Sequence, residues 1–391
     1  MSSTKKRPII PLCTPDLGPA ERSLLLEALD STFVSSVGPF VERFEREFAA
    51  FTAARHAVAC ASGTAALHLA LRVCGVARGD LVLVSDFTFI ASATPIIHQG
   101  AEPVFIDSEE RTWNLDPQAV EDAFIRLDRS GRRPKAVIAV HVLGAPADLA
   151  PIQAICQRFG AILIEDAAEA LGATIGTAHV GTMGRIGCFS FNGNKVITTG
   201  GGGMCVTADP ALATAMKHLS TQAKLPGLAF VHDQVGYNYR LTNLAAALGL
   251  AQLGRLPEFL RRKRAVAERY RTALEPRGCR FQGVHDGASS SEWLASCLVP
   301  GDRDRILAHL TAADVGSRPL WVPLSEQPCF LEDDRGGDGG KFGEERRHMR
   351  FGGDVAKRLS ATGISLPSST HLSVADQDHV ITTLIHAMGQ S

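Results

Sequence analysis

Short runs of apolar, often β-branched residues alternate with longer helical patterns over the first two-thirds of the chain, and this alternation limits the fold more than any other feature. The runs are His56–Cys60, Leu81–Ser85, Pro103–Asp107, Ala136–Val140, Ala161–Glu165, Cys188–Phe191 and Met204–Thr207. Most are apolar at nearly every position, as strands covered on both faces are. Helical stretches fall between them at Thr64–Cys74, Ile90–His98, Pro117–Leu127 and Leu149–Phe159. Pro117 and Pro151 sit near helix starts, where a missing N–H costs little. The expectation is an α/β fold: a large domain over residues 1–255, N-terminal segment included, built on a mostly parallel seven-stranded sheet.

The pattern changes after Tyr239-Arg240. Leu241–Leu253 and Glu258–Leu274 read as two long helices, with Arg261–Arg264 as a solvated basic face. Strands Cys279–Gln282 and Trp293–Val299, a helix at Arg303–Ala313 and a last helix from Ala375 follow. They predict a small C-terminal α+β domain over 256–391, joined to the first by a long interdomain helix. Glu332–Arg350, rich in Gly and charge, is expected to be a mobile surface loop.

The formal net charge of -1 offers no field for a nucleic-acid partner. The nine Cys show no CxxC spacing, which argues against a zinc site and a disulfide framework. The polar, basic N-terminus lacks the apolar core of a secretory signal, and no apolar run nears the ~20 residues that cross a bilayer. A cytoplasmic protein without a metal or membrane partner is expected.

Four segments carry possible chemistry. Ser62-Gly63-Thr64-Ala65-Ala66-Leu67 follows a strand and opens a helix. Free N–H groups and a hydroxyl there suit a phosphate, or Ser62 is a plain N-cap. Ile162–Glu169 ends an apolar strand on Glu165 and Asp166, at the edge of a sheet that faces ligands. Asp166 can pair with a buried cationic nitrogen, although alone it reads better as a helix cap. Phe191-Asn192-Gly193-Asn194-Lys195 leads to four glycines, Gly200–Gly203. A lysine in a polar turn is usually a solvated charge, but a partly desolvated one becomes a nucleophilic amine. Gly236-Tyr237-Asn238-Tyr239-Arg240 can reach a ligand or a neighbouring subunit, or form an ordinary turn. Phosphate loop, strand-end Asp and Lys, in that order, match a cofactor with a phosphate, a pyridinium nitrogen and an aldehyde, which is pyridoxal 5'-phosphate.

The chain resembles the DegT/DnrJ/EryC1/StrS sugar aminotransferases, a branch of the fold-type I pyridoxal-phosphate enzymes, from about Ile10 to about Ile385. The matching segments are SSVGPFVERFEREF (35–48), SGTAALHLAL (62–71), TFIASA (88–93), IEDAAEALGA (164–173), FSFNGNKVITTGGGGM (189–204), VHDQVGYNYRLTNLAAALGLAQL (231–253), SRPLW (317–321) and LPSS (366–369). FNGNK with ITTGGGG, KHLSTQAK (217–224) and FVHDQVGYNYR (230–240) look most like LegC-type members, which act on UDP-linked N-acetylamino 4-keto-6-deoxy sugars. Perosamine-type members, acting on a GDP-linked sugar, share SSVG and much of the lysine segment.

The resemblance implies that Lys195 holds the cofactor as a Schiff base, and that Asp166 pairs with its ring nitrogen while Glu169 approaches the ring hydroxyl. It further implies that Gly63, Thr64 and Ala65 bind the phosphate with help from Ser190, and that Phe89 stacks on the ring. Asn238 would reach the phosphate of a partner subunit, making the active unit a homodimer with shared sites. Ser35, Ser36, Arg240 and Trp321 are candidates for the sugar side. Relatives often carry His or another basic residue where Ser325 stands. The implied reaction moves an amino group from L-glutamate, through the pyridoxamine form of the cofactor, to the nucleotide-linked keto sugar. Alternatives are a GDP-perosamine-type or natural-product deoxysugar aminotransferase, a sugar dehydratase (whose members replace the lysine with His) and a non-catalytic cofactor-binding regulator.

Overall fold

A computed structural model describes residues 8–332 and 346–389. The seven expected strands form close to their expected bounds: β1 His56–Cys60, β2 Leu81–Ser85, β3 Glu102–Ile106, β4 Ala136–Val140, β5 Ile162–Asp166, β6 Ile186–Ser190 and β7 Gly203–Thr207. An eighth, β8 (Arg350–Phe351), lies on the far edge, and the order is β1-β7-β6-β5-β4-β2-β3-β8. β7 runs antiparallel to both its neighbours, and every other pairing is parallel. The carboxyl ends of β2, β4, β5 and β6 therefore open on one side, the side on which α/β sheets bind ligands.

Expectation and structure differ at β8. It falls at the end of the stretch expected to be a mobile loop, of which residues 333–345 lie outside the described residues. Two buried carboxylates, Asp86 after β2 and Asp107 after β3, supply the reason. Arg350 Nε bonds Asp86 at 2.7 Å, and its guanidinium reaches Asp107 at 3.3 Å. Ser325 donates its N–H and hydroxyl to Asp86 at 2.8 and 2.9 Å. Arg350 thus brings a positive charge to Asp86 beside Ser325.

The two long helices expected after Arg240 are one, Asn243–Leu274, with Pro257 inside it. Proline removes one hydrogen bond and crowds the preceding turn. Here the flanking Leu253, Leu256, Phe259 and Leu260 are all buried, and that packing carries the helix through. The basic run also differs from expectation. Lys263 lies on the inner face, buried, and donates to the carbonyls of Trp293 and Ser368, each at 2.9 Å.

The first half of this helix packs into the core of the large sheet, and Val266, Ala267, Tyr270 and Leu274 enter a second core. That core backs a four-stranded antiparallel sheet of Arg280–Phe281, Ser296–Leu298, Gly363–Ser365 and Arg318–Pro319. Ile10 crosses from the N-terminal segment into it and bridges Val315. Among the described residues no helix is long and apolar enough to cross a membrane.

Helix Pro39–Thr52 lies over β6. Phe44 and Phe48, one turn apart, meet Phe189 and Phe191, which alternate onto the same face of the strand. Ring centroids are 5.1 Å apart for Phe48–Phe189, 5.5 Å for Phe48–Phe191 and 5.3 Å for Phe44–Phe191. This cluster sits beneath the loop that carries Lys195. Phe48→Ala is expected to lower the unfolding free energy by about 3–5 kcal/mol, read from urea denaturation monitored by circular dichroism. A loss below about 1 kcal/mol would contradict this packing.

Candidate active site

A cavity of about 420 Å³ opens at the strand ends. One wall is the start of helix Gly63–Val73. The Ser62 hydroxyl accepts the N–H of Ala65 at 3.0 Å, and the Ser62 carbonyl accepts that of Ala66. The N–H groups of Gly63 and Thr64 have no intrahelical acceptor, as at any helix start. Gly63, Thr64 and Ser190 all line the cavity. A Cβ on Gly63 would stand 2.8 Å from Ser190 Cβ, so only glycine lets the two loops approach this closely. Ala65 does not line the cavity, and its N–H is taken by Ser62.

β5 ends in two carboxylates of opposite fate. Glu165 is fully buried and accepts from His141 Nε2 at 3.0 Å, from the N–H groups of Gly181 and Met183 at 2.6 and 2.7 Å, and from Gly184. His141 Nδ1 accepts from Ala147, which leaves Nε2–H as the donor to Glu165. Burial alone would raise the Glu165 carboxyl, but His141 and the backbone donors outweigh it and hold it below the usual range. Asp166, one residue on, faces the cavity instead. Ser92 donates to its Oδ2 at 2.7 Å and Ala168 to its Oδ1 at 3.1 Å. Here burial wins and the carboxyl is pushed up.

Lys195 sits on a loop whose base is closed by Phe191 N–H to the Gly202 carbonyl at 2.8 Å and Thr199 N–H to the Phe191 carbonyl at 3.0 Å. Its side chain is only 13% exposed, and Nζ lies 3.3 Å from Glu169 Oε1. Leu143 N–H donates to the other Glu169 oxygen at 2.8 Å, and burial pushes this carboxyl up as well. Lys195 is therefore no solvated surface charge. Phe89, 54% exposed, and Trp321, its ring 5.5 Å from that of Phe87, complete the walls.

Of the residues expected from sequence, Gly63, Thr64, Phe89, Asp166, Glu169, Ser190, Lys195 and Trp321 meet in this cavity. Ser36 and Arg240 line a second cavity of about 240 Å³ instead, while Ser35 and Asn238 are exposed and line neither. Sequence reasoning missed Ser92, Trp293 and Arg318, which also line the first cavity. Ser92 lies inside the TFIASA segment and Arg318 inside SRPLW, so both were within reach. Trp293 was read only as the start of a strand.

A model of the DegT/DnrJ/EryC1/StrS aminotransferase family matches residues 15–385. EpsN of Bacillus subtilis (strain 168) is 40% identical over 381 residues, covering 96% of this chain and 95% of that protein. The GDP-perosamine synthase of Caulobacter vibrioides is 37% identical over 386 residues, covering 96% and 98%. Among solved structures, Spr1654 from Streptococcus pneumoniae in its PLP-form matches with a TM-score of 0.87 at 25% identity, over 98% of this chain and 99% of that one. It has also been solved in a PMP-form.

Glu165→Gln is expected to cost about 1–3 kcal/mol at neutral pH, because it replaces a buried, ionised acceptor of four donors with an amide whose NH₂ cannot accept. Glu165 is depressed in the fold, so its contribution is fully present above the unfolded value near 4.5 and is lost as pH falls through the lowered folded value. Denaturation series for wild type and variant should therefore converge on acidification. A gap that does not depend on pH would contradict the network.

Proposed function

This chain belongs to the DegT/DnrJ/EryC1/StrS aminotransferase family and is a pyridoxal-phosphate-dependent sugar aminotransferase, and from that premise we propose that it uses L-glutamate to aminate a nucleotide-linked 4-keto-6-deoxy sugar, with Lys195 as the cofactor lysine. The carrying observation is the Lys195 ammonium, 3.3 Å from Glu169 in the cavity that also holds Asp166 and the open helix start at Gly63.

The donor set fits the cofactor. The Gly63 and Thr64 N–H groups, with the Thr64 and Ser190 hydroxyls, would hold the phosphate at a helix N-terminus. Asp166, on the cavity wall, would pair with the ring nitrogen. Burial disfavours its charge, and a cation beside it restores that charge. Ser92 orients Asp166, while Glu169 would meet the ring hydroxyl and Phe89 would cover a ring face. When bound, the cofactor supplies the electron sink and carries the amino group between substrates. Lys195 Nζ is the base that takes the proton from the donor carbon and the acid that returns it, and it runs the same transfer in reverse for the sugar.

Besides Lys195, Arg318 is the one cationic side chain on the cavity wall among the described residues. It is exposed at the edge of the small sheet, where the glutamate carboxylate or the sugar diphosphate would meet it. We read the sugar as UDP-linked and N-acetylated, on the LegC-like segments around Lys195 and Tyr239. A GDP-linked sugar is the second reading, favoured by the likeness to the GDP-perosamine synthase.

The active unit is proposed to be a homodimer. Leu228, Phe230 and Val235 are 102%, 83% and 85% exposed, close in sequence to Asn238, and Phe33, Val34 and Val37 are exposed around Ser35 and Ser36. An apolar surface of this kind marks an interface. A second copy covering it would bring Asn238 and Arg240 toward a shared site.

Lys195→Ala is expected to lose the visible absorbance of the lysine-bound cofactor and to cut transamination by at least about 10³-fold; an unchanged spectrum would sink the assignment. Arg318→Gln should raise KM for glutamate about ten- to a hundredfold, with a smaller change in kcat, in glutamate-coupled steady-state assays. A panel of UDP-, GDP- and dTDP-linked 4-keto sugars then tests the substrate. Turnover of none of them, with the spectrum intact, would overturn the sugar assignment alone.

A further inference from the structure

Trp293 belongs to no role described so far, yet it grips the lysine loop in two ways. Its Nε1–H donates to the carbonyl of Asn194 at 2.6 Å, one residue before Lys195. Its ring centroid lies 3.8 Å from Lys195 Nζ. The indole is 4% exposed, so the ammonium meets it with little water between them, the condition in which a cation–π contact is strongest, and indole is the best of the three rings.

The segment that presents this indole is itself fixed. Ser291 donates its hydroxyl to the Glu169 carbonyl at 2.8 Å and its N–H to the Gly144 carbonyl at 3.1 Å. Glu292 has a left-handed φ of 51°, and its carboxylate is held by Arg271 at 3.0 and 3.1 Å. The buried Lys263 binds the Trp293 carbonyl. Gly144 must stay glycine for this docking, since a Cβ there would meet Ser291 Oγ at 2.3 Å and its φ is +98°. Residues 291–293 thus tie the backbone of Glu169 to the backbone before Lys195, so that the Trp293 ring and the Glu169 carboxylate stand beside the same amine.

We propose that the face of Trp293 is the seat of the Lys195 ammonium whenever that lysine is not joined to the cofactor, making Trp293 a positioning residue for the proton-carrying amine. This rests on the reading of Lys195 as the cofactor lysine. A freed lysine must keep its proton and stay near the carbon to which it will deliver it. The charged groups facing it are Glu169 and, farther off, Asp166. The ring face fixes where the ammonium sits between them and favours the charged amine over the neutral one.

The test uses the full-length enzyme in its amino form, with the lysine freed by excess glutamate. Trace acetylation by acetic anhydride is followed across pH, and peptide mass spectrometry compares Lys195 with the exposed Lys135. In Trp293→Leu, the pH of half-maximal Lys195 acetylation should fall by about one unit. Trp293→Phe should fall between Leu and wild type, because it keeps a ring face, a weaker one, and loses the N–H. Equal shifts in both variants would assign the effect to the lost bond to Asn194 and overturn the proposal. So would a profile scaled at every pH without a shift, which reports only easier access. In kinetics, kcat should fall while KM for glutamate stays within about twofold, and an effect on KM alone would place Trp293 against substrate instead. Wild-type enzyme without the Lys195-dependent visible band would fail the underlying reading. A normal band with unmoved labelling fails this proposal alone.

Discussion

The site depends on how strand β5 ends. Two adjacent carboxylates, Glu165 and Asp166, leave the last turn of the pleat on opposite sides, because side chains alternate along a strand. Glu165 turns toward the loop 181–184 and His141, where four donors meet it. That network ties β4, β5 and the entry to β6 together, so it also sets where Ser190 and the loop bearing Lys195 begin. Asp166 turns into the cavity with two donors and, among the described residues, no ion pair of its own. A slip of one residue in β5 would exchange the two and put the satisfied carboxylate in the cavity.

Much of this was legible in the sequence for one reason: buried parallel strands are read from local composition. Leu81–Ser85, apolar up to its last residue, and Ala136–Val140, apolar throughout, form where expected. The segments that fold around the lysine are also local, a strand end and a loop joined by short-range hydrogen bonds. What stayed hidden depends on partners far away in the chain. Lys263 reads as part of a basic face until the carbonyls of Trp293 and Ser368 are brought to it, 30 and 105 residues on. Arg350 reads as one charge in a Gly-rich run until Asp86, 264 residues earlier, fixes it. Pro257 reads as a break because propensity is local, and the apolar flanks that override it act through the core. In each case tertiary burial reverses a correct local preference.

The second cavity shows the same boundary from another side. Ser36 and Arg240 were grouped with the sugar-binding candidates because their segments resemble those of relatives. In a single chain they line a separate pocket with Glu42 and Lys217, and one Arg240 guanidinium nitrogen is buried with no partner among the described residues. A buried donor left unpaired is costly. Two copies of the chain would give that nitrogen a further surface to meet, and the exposed apolar side chains nearby would be covered by the same event.

The electrostatics of the main cavity point the same way as its shape. Asp166 and Glu169 are both buried and both raised, while one lysine stands between them. A carboxyl raised in the fold stabilises it fully only below its unfolded value, and that contribution is lost as pH rises through the folded value. Burial thus works against the charge of both carboxylates, and Lys195 is the cation beside them. Removing a carboxylate would make the fold easier to hold and the site poorer. On the proposed reading, a protonated ring nitrogen would be met by Asp166 and a phosphate by the N–H groups of Gly63 and Thr64. Two buried carboxyls with raised values beside one lysine in a cavity are the perturbed groups that mark a functional site.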